Sequence, residues 1–238
     1  PMAVFAMPAL ARRRSAPVAA QAKLSLIAAA VLLFLGFVLI LAFEWSESLS
    51  GLPIVDRIHN AWFQSVTLRT AGFNSIDITA VRPSTLTLML LWMFIGGSPG
   101  GTAGGVKTTT VSILVLSVVH AIRGKWSLDI FARRIPDRTR SKAAVTVTVA
   151  AMMAVFALVA LQLTQRMPTR LAVFEVISAL GTVGLSLGGT TALDAIGKTI
   201  IVICMFVGRV GGLTLLMFLS SRGSAPVIGR PEEEIDAG

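Results

Sequence analysis

The fold is decided by a ten-residue stretch, Gly96-Gly97-Ser98-Pro99-Gly100-Gly101-Thr102-Ala103-Gly104-Gly105, in the middle of an otherwise apolar segment that runs from Ser84 to Val119. Six glycines and one proline in ten residues are incompatible with a regular helix. In lipid, irregular backbone leaves amide groups unsatisfied, so it survives only where protein or a water-filled cavity surrounds it. We therefore expect this stretch to line a cavity inside a membrane.

The composition is that of a membrane protein. Of the 238 residues, 54% are hydrophobic and 14% are charged, whereas a soluble domain carries about 25% charged residues. Basic residues outnumber acidic ones by 21 to 12, with seven of the 21 between residues 123 and 142 and four more at Arg12, Arg13, Arg14 and Lys23. Both clusters flank apolar runs, as the positive-inside rule requires. We expect contact with membrane lipid and no nucleic acid partner.

Cysteine and histidine indicate neither a disulfide nor a metal site. Cys204 is the single cysteine, and His59 and His120 lie too far apart in the sequence to match any metal-ligand spacing. We therefore expect no covalently bound cofactor.

Two apolar runs are long enough to cross a bilayer as helices. Leu24 to Phe43 holds 20 uncharged residues and Ala143 to Gln165 holds 23, and a helix of about 20 residues spans the hydrocarbon core. The segments that follow them, Ile58 to Leu68 and Leu171 to Leu180, are too short to cross.

Each short segment is followed by a related loop. The first loop reads Thr70-Ala71-Gly72-Phe73 and the second loop reads Thr182-Val183-Gly184-Leu185, so aligning the two threonines also aligns the two glycines. A last apolar segment runs from Ile196 to Ser221. We interpret the chain as two tandem copies of helix, short half-helix, glycine-containing loop and helix, and predict an all-α polytopic membrane protein.

The short half-helices are suited to attract cations. A helix that ends inside the bilayer points its C-terminal carbonyls, equivalent to about −0.5 charge, at the membrane centre. A glycine in the next loop lets successive carbonyls turn toward one axis. Four such loops form the filter of a potassium channel, where carbonyl oxygens replace the water shell of the ion. The candidate filter residues are Thr70, Ala71, Gly72, Phe73, Thr182, Val183, Gly184 and Leu185.

The copies divide the chain into five segments. They are a cytoplasmic tail or preceding loop at residues 1–23, a first pore repeat at 24–122, a basic cytoplasmic connector at 123–142, a second pore repeat at 143–221 and a cytoplasmic tail at 222–238. With the tails and the connector inside, each copy needs an even number of crossings. Each short segment is therefore expected to enter and leave from the outside as a re-entrant hairpin.

Together, the two loops and the glycine-rich break, which ends in Gly105-Val106-Lys107-Thr108-Thr109-Thr110, closely resemble the Trk/Ktr/HKT superfamily of potassium transporters. The stretch Ser98-Pro99-Gly100-Gly101-Thr102 is most similar to the bacterial KtrB branch, and the resemblance covers residues 24 to 238. It implies a pore subunit, not an enzyme, that moves potassium down its electrochemical gradient across the bacterial cytoplasmic membrane.

The resemblance also implies four repeats in pseudo-fourfold symmetry, with one filter glycine in each. This chain holds two loops, which match the third and fourth repeats. The other two are expected from a missing N-terminal half, which fits a start at Pro1 without Met, or from a second copy of the chain. The first source is the simpler one.

A gate and partners follow from the same resemblance. In the family the glycine-rich break lies below the filter as an intramembrane gate, and a last-helix arginine corresponds to Arg209, the single charge between Thr199 and Ser221. We expect Arg209 to bond the gate and raise the barrier to cations, and Lys107 to anchor the break. The resemblance further implies a homodimer and a cytosolic nucleotide-binding regulatory subunit, for which Arg123 to Lys142 and the C-terminal tail are candidate contacts.

Other interpretations stay open. The fold also suits a sodium-conducting or sodium-coupled transporter, because in the plant branch a serine in place of the first repeat's filter glycine accompanies sodium preference, and that repeat is absent here. A membrane-attached nucleotide hydrolase is remote, because Val106 separates Gly105 from Lys107 and no strand precedes this phosphate-loop-like stretch. Glu175 is either an outer-mouth cation attractor or a half-helix residue bonded to backbone.

Overall fold

The computed structural model describes residues 20–124, 127–131 and 133–211, and this part of the chain is mostly helical. The predicted C-terminal tail and residues 1–19 of the predicted N-terminal segment lie outside the described residues. The elements are, in order, α1 (Ala20–Glu44), α2 (Ile54–Thr67), α3 (Pro83–Phe94), α4 (Thr108–Ile122), β1 (Asp129–Ile130), β2 (Arg133–Arg134), α5 (Asp137–Thr164), α6 (Thr169–Gly181), α7 (Gly189–Ala192) and α8 (Ala195–Val210).

Within the described residues, α1 and α5 are the two helices that are long and apolar enough to cross a membrane. They contain 25 and 28 residues, so each is longer than the hydrocarbon core is thick. Both begin earlier than the apolar runs suggest, because a helix continues through the headgroup region, where charged side chains are tolerated. As a result, residues 137–142 of the predicted connector belong to α5.

The two short helices have nearly the same length. α2 has 14 residues and follows Pro53, and α6 has 13 residues and follows Pro168. Proline has no N–H group and a fixed φ, so it is tolerated where a helix starts. At 1.5 Å per residue the two helices are about 20 Å long, too short for the hydrocarbon core.

The glycine-rich stretch separates two apolar helices, α3 with 12 residues and α4 with 15. We name residues 96–105 the break loop. At the loop base, Ile95 and Val106 form an isolated parallel bridge. Gly96 N donates to Val106 O (2.8 Å), and Val106 N donates to Phe94 O (3.1 Å). The break loop is thus closed by backbone hydrogen bonds where it follows α3 and precedes α4.

A short hairpin in the connector corrects the expected all-α fold. β1 pairs antiparallel with β2, with Asp129 opposite Arg134 and Ile130 opposite Arg133. Leu128, before β1, and Ile130, within it, are buried. Strands of two residues are too short to produce an alternating pattern in the sequence, so the correct description is a mostly helical fold.

The larger cluster of buried side chains joins the two copies. Its fully buried side chains include Ile40 in α1, Leu68 directly after α2 and Met89 in α3. Phe174 of α6 and Val183 of the second loop belong to the same cluster. Leu68, the residue that follows α2, and the second loop are therefore packed into one core.

A smaller cluster holds α5, α6 and α8 together around Leu161, Val176, Ile201 and Cys204. α8 begins at a capped end, where the carboxylate of Asp194 accepts from Gly197 N (2.8 Å). The predicted continuation of this helix to Ser221 lies beyond the described residues.

Candidate functional site

The backbones of the two loops share the same unusual conformation. Thr70 has a φ of 71° and Thr182 a φ of 51°, while Gly72 and Gly184 have φ values of 78° and 94°. Among the described residues, the only other non-glycine with positive φ is Phe131. For a β-branched residue such as threonine this region is strained. The sequence repeat is therefore also a repeat of strained backbone.

Hydroxyl groups of the short helices hold the far end of each loop. Thr67 Oγ1 in α2 donates to Phe73 O (2.6 Å) and accepts from Phe73 N (3.0 Å). Ser178 Oγ in α6 donates to Leu185 O (2.6 Å). Phe73 and Leu185 occupy the same position of the repeat, directly after the glycine. Each loop is thus bonded to its own helix at an equivalent carbonyl.

The remaining loop carbonyls have no such partner. Within the described part of the chain, no hydrogen bond ends on the carbonyl oxygens of Thr70, Ala71, Gly72, Thr182, Val183 or Gly184. The loops also touch, since a Cβ on Gly72 would overlap Val183 O and one on Gly184 would lie 3.5 Å from Gly72 Cα. Unpaired carbonyls buried in a membrane are costly unless a cation or water binds them. Two adjoining rows of free oxygens suit cation coordination.

Cationic side chains contact the break loop at three of its carbonyls. Lys107 Nζ donates to Ala103 O, and Arg209 Nη1 donates to Thr102 O. Arg69 Nη2 donates to Gly96 O (3.0 Å). These bonds satisfy carbonyls that irregular backbone otherwise leaves free.

The other predicted gate residues form the turns of the break loop. Thr108 N donates to Gly97 O (3.2 Å), and Gly101 N donates to Ser98 O (3.2 Å) across Pro99. Gly100 and Gly105 have left-handed φ values of 79° and 69°, which glycine adopts without strain.

The break loop and the second loop are in direct contact. Gly104 N donates to Thr182 Oγ1 (2.8 Å). A Cβ on Gly104 would meet Thr182 Oγ1 at 2.6 Å and Gly208 O at 3.0 Å. Only glycine therefore fits where the break loop passes between the second loop and α8.

Two cavities adjoin this contact. One of about 400 Å³ is lined by Gly100, Gly101, Lys107, Arg209 and residues of α5. Another of about 340 Å³ is lined by Thr182, Gly184 and Leu185, together with Glu175 and Arg209. Arg209 borders both cavities, so it lies between the second loop and the break loop.

Two charged residues make contacts at the site that the sequence did not predict, Glu175 and Arg69. Glu175 is 3% exposed, and its carboxylate accepts from the side-chain hydroxyls of Ser186 and Thr190 rather than from backbone. It also lines the cavity beside the second loop, and its role as an outer-mouth cation attractor stays a prediction. Arg69, which is not among the predicted filter or gate residues, reaches the break loop. The sequence feature that could have indicated this role is a charged residue directly before a Thr-x-Gly loop. Within the described residues no group of three or more His, Cys, Asp or Glu side chains could hold a metal ion.

The fold and these loops define a helical membrane transport protein. The chain belongs to the TrkH family of cation transport proteins, since the model of that family matches residues 19–225. The predicted Trk/Ktr/HKT superfamily is thereby confirmed, as is the prediction that the chain is not an enzyme.

Three similar proteins illustrate this membership. The Ktr system potassium uptake protein B of Bacillus subtilis is 41% identical over 202 residues, which cover 84% of this chain and 45% of that protein. The potassium/sodium uptake protein NtpJ of Enterococcus hirae is 36% identical over 240 residues, covering 96% and 52%. The crystal structure of the potassium transporter TrkH from Vibrio parahaemolyticus has a TM-score of 0.72 at 24% identity and covers 83% of this chain and 44% of that one, which shows the shared fold. The chain spans about half the length of these relatives.

Proposed function

We propose that this chain supplies two of the four loops of a potassium filter in a membrane uptake protein, with the break loop as the gate. The observation that carries the proposal is the repeated pair of loops, both with a left-handed threonine and glycine and both with free carbonyls. The relatives from Bacillus subtilis and Enterococcus hirae, whose names describe potassium uptake and potassium/sodium uptake, support it.

The coordination chemistry explains why two such loops suit potassium. A permeating ion must lose water, and a row of carbonyl dipoles replaces that water without adding net charge. The C-terminal end of each short helix adds about −0.5 charge nearby. Each pore repeat is then a spanning helix, a re-entrant short helix, a filter loop and a second crossing, at residues 24–122 and 143–221 with the connector 123–142 between them.

The break loop suits a gate because it is irregular, closed at its base and bonded by cationic side chains. Lys107 and Arg209 place two positive charges beside the path below the second loop. A cation that approaches them is repelled until the loop moves. Because the loop makes few helical hydrogen bonds, it can move without unfolding α3 or α4.

The assembly needs more than this chain. Two further loops close the ring, either from another part of the same protein or from a second copy, and the complete pore subunit forms a homodimer in the bacterial cytoplasmic membrane. The hairpin exposes Arg133 and Arg134, which suits the connector for binding a cytosolic nucleotide-binding regulatory subunit.

Sodium conduction or sodium coupling is the second candidate. The Enterococcus hirae relative, which covers more of this chain than the Bacillus subtilis one, is named a potassium/sodium uptake protein. The same filter then passes both ions, and the ratio of potassium to sodium uptake decides between the candidates.

The test is ion uptake by the complete coding sequence in a potassium-uptake-deficient bacterial host. Gly184→Ser adds a side chain at a φ of 94° beside Gly72, and we expect the potassium-to-sodium ratio to fall about tenfold, which corresponds to roughly 1.4 kcal/mol. Gly124→Ser is the matched control, because Gly124 also has a left-handed φ (68°) but has nothing within 4 Å of its would-be Cβ. Absence of potassium uptake by the unaltered protein, or an unchanged ratio in Gly184→Ser, would refute the proposed filter.

A further inference from the structure

Arg69 stands at the junction of the first loop and the break loop. Its own backbone is fixed, because Arg69 N donates to Val66 O (3.0 Å) and Ala71 N donates to Thr67 O (3.2 Å). Its side chain reaches 27 residues along the chain to Gly96 O. The residue before the first filter threonine is thus hydrogen-bonded to the first residue of the break loop.

The charge of Arg69 is not neutralised by an acid in the part of the chain that the structure describes. Its Nε and Nη1 atoms are buried there without hydrogen-bond partners. The ion pairs among the described residues join Arg82 to Glu47 and Arg140 to Asp137. A buried, partly satisfied guanidinium is a poor means of stabilising a fold. In the described part of the chain the hydrogen-bond partner of the Arg69 side chain is a carbonyl of the break loop, so the side chain is placed to position that loop.

A second hydrogen bond links the break loop to the other filter loop. Gly104 N donates to Thr182 Oγ1 (2.8 Å). Gly96 and Gly104 are neighbours at the loop base, since a Cβ on Gly96 would overlap the carbonyl oxygen of Gly104. The bonds from the two filter loops therefore end on two neighbouring residues of the break loop, Gly96 through Arg69 and Gly104 through Thr182.

We propose that Arg69 is a positioning residue that couples ion occupancy of the filter to the position of the gate. This rests on the proposed function. An ion in the filter orders the first and second loops, and Arg69 and Thr182 transmit that order to the loop base, so the break loop becomes less mobile when potassium is bound. By linkage, movement of the break loop weakens potassium binding at the filter.

The test measures the accessibility of the break loop in the complete protein. Ser98→Cys places a thiol on the break loop, and Cys204→Ala removes the single native cysteine of the chain. Thiol labelling in membrane vesicles is then timed with potassium or with N-methylglucamine as the external cation. We expect potassium to slow labelling about fivefold, the effect that one hydrogen bond between two sites supports.

Arg69→Gln removes the charge and most of the reach of this side chain. We expect labelling of this variant to be equally fast in potassium and in N-methylglucamine, and Arg69→Lys, which keeps a charged donor, to restore part of the difference. Arg170→Gln is the control, because Arg170 is an exposed arginine in the first turn of α6, and it should retain the full potassium effect. A variant that merely misfolds would lose membrane expression, which is measured alongside.

The outcomes separate this inference from the proposed function. If potassium slows labelling equally in Arg69→Gln and in the unaltered loop, the coupling through Arg69 is wrong. If potassium has no effect on labelling even with Arg69 present, the coupling is also wrong, while potassium uptake by the same protein would leave the filter intact. Among the outcomes of this experiment, absence of potassium uptake by the unaltered protein is the one that would overturn the proposed function itself.

Discussion

The two proposed filter loops have matching backbones but different supports. The first loop depends on Thr67, whose hydroxyl makes two hydrogen bonds to Phe73. The second loop has a single hydroxyl bond from Ser178 and, beyond it, the buried carboxylate of Glu175, which bonds two further hydroxyls. When the filter glycines of the two copies are aligned, the position equivalent to Glu175 in the first copy is Phe63.

This difference indicates which features ion coordination would require, the backbone conformation of the loops, and which it would not, the side chains that hold the loops. In the proposed filter a cation requires carbonyl oxygens at fixed positions, which is why we expect the left-handed threonines and glycines to recur in both loops. It does not matter to the ion which side chains hold those positions. We therefore expect substitutions of the shared backbone residues to have larger effects than substitutions of the supports, and each support to affect mainly its own loop.

The largest effect is expected from Gly72→Ala. At a φ of 78° the alanine is strained, and its Cβ would also overlap Val183 O. Strain and overlap together cost about 3 kcal/mol, so potassium uptake should fall roughly a hundredfold. In Gly184→Ala the strain remains, but the Cβ would lie 3.5 Å from Gly72 Cα, so the loss should be about tenfold. Uptake of rubidium as a potassium substitute, normalised to membrane expression, measures both.

Gly124→Ala controls for left-handed strain outside the loops, because Gly124 has a φ of 68° and open space around it. Equal losses in Gly72→Ala and Gly184→Ala would contradict the asymmetric contact between the loops.

The sequence was sufficient for the parts of the fold that depend on length and composition. The apolar runs locate α1 and α5, and the glycines locate the break between α3 and α4. The left-handed glycines could also be anticipated, because glycine alone adopts that φ without strain. The same φ at Thr70 and Thr182 could not, because a β-branched residue disfavours it and only the surrounding structure imposes it.

The hydrogen bonds that support the loops could not be predicted from the sequence, for a different reason. Arg69 donates a hydrogen bond to a backbone carbonyl 27 residues away. Every residue has a backbone carbonyl, so no sequence motif marks this acceptor. Glu175 bonds two hydroxyls that follow the second loop, and Ser and Thr are too common for their spacing to indicate a partner. Contacts of this kind depend on tertiary packing, and so does the hairpin in the connector.

Glu175→Gln tests the support that only the second loop has. The amide keeps the volume but replaces one carboxylate oxygen by a donor, so Ser186 or Thr190 loses its acceptor. The amide N–H can still bond the hydroxyl oxygen, so the net loss is about 1 kcal/mol, and the potassium-to-sodium uptake ratio should fall about fivefold, less than in Gly184→Ser.

Glu44→Gln is the matched control for Glu175→Gln. Glu44 is also a fully buried acid, and its carboxylate accepts from Arg82 N (3.0 Å) and Ser48 N (3.3 Å) at the end of α1. It holds no filter loop, so its loss should reduce thermal stability and leave the uptake ratio unchanged. A normal ratio in Glu175→Gln, or an altered one in Glu44→Gln, would show that buried acids do not set selectivity loop by loop.

Arg209→Gln tests the break loop, which both copies hold. The substitution removes the charged hydrogen bond to Thr102 O and the repulsion that the charge exerts on a cation. We expect cation flux to rise about tenfold, because charge-assisted hydrogen bonds are roughly twice as strong as neutral ones. The potassium-to-sodium ratio should not change, since the carbonyls of the two filter loops are untouched. Unchanged flux would mean that Arg209 neither closes nor stabilises the gate.

The smallest effects are expected from the hydroxyl bonds at the ends of the loops, and they compare the two copies most directly. Thr67→Val removes a bond donated to Phe73 O and one accepted from Phe73 N, while Ser178→Ala removes only the bond to Leu185 O. A neutral hydrogen bond contributes about 1 kcal/mol net, so potassium uptake should fall about fivefold in Ser178→Ala and further in Thr67→Val. Thr67→Ser keeps the hydroxyl and should restore uptake, which separates loss of the bonds from loss of packing. A larger fall in potassium uptake in Ser178→Ala than in Thr67→Val would contradict this expectation. It would mean that the second loop depends mainly on the Ser178 hydroxyl and not on the carboxylate of Glu175.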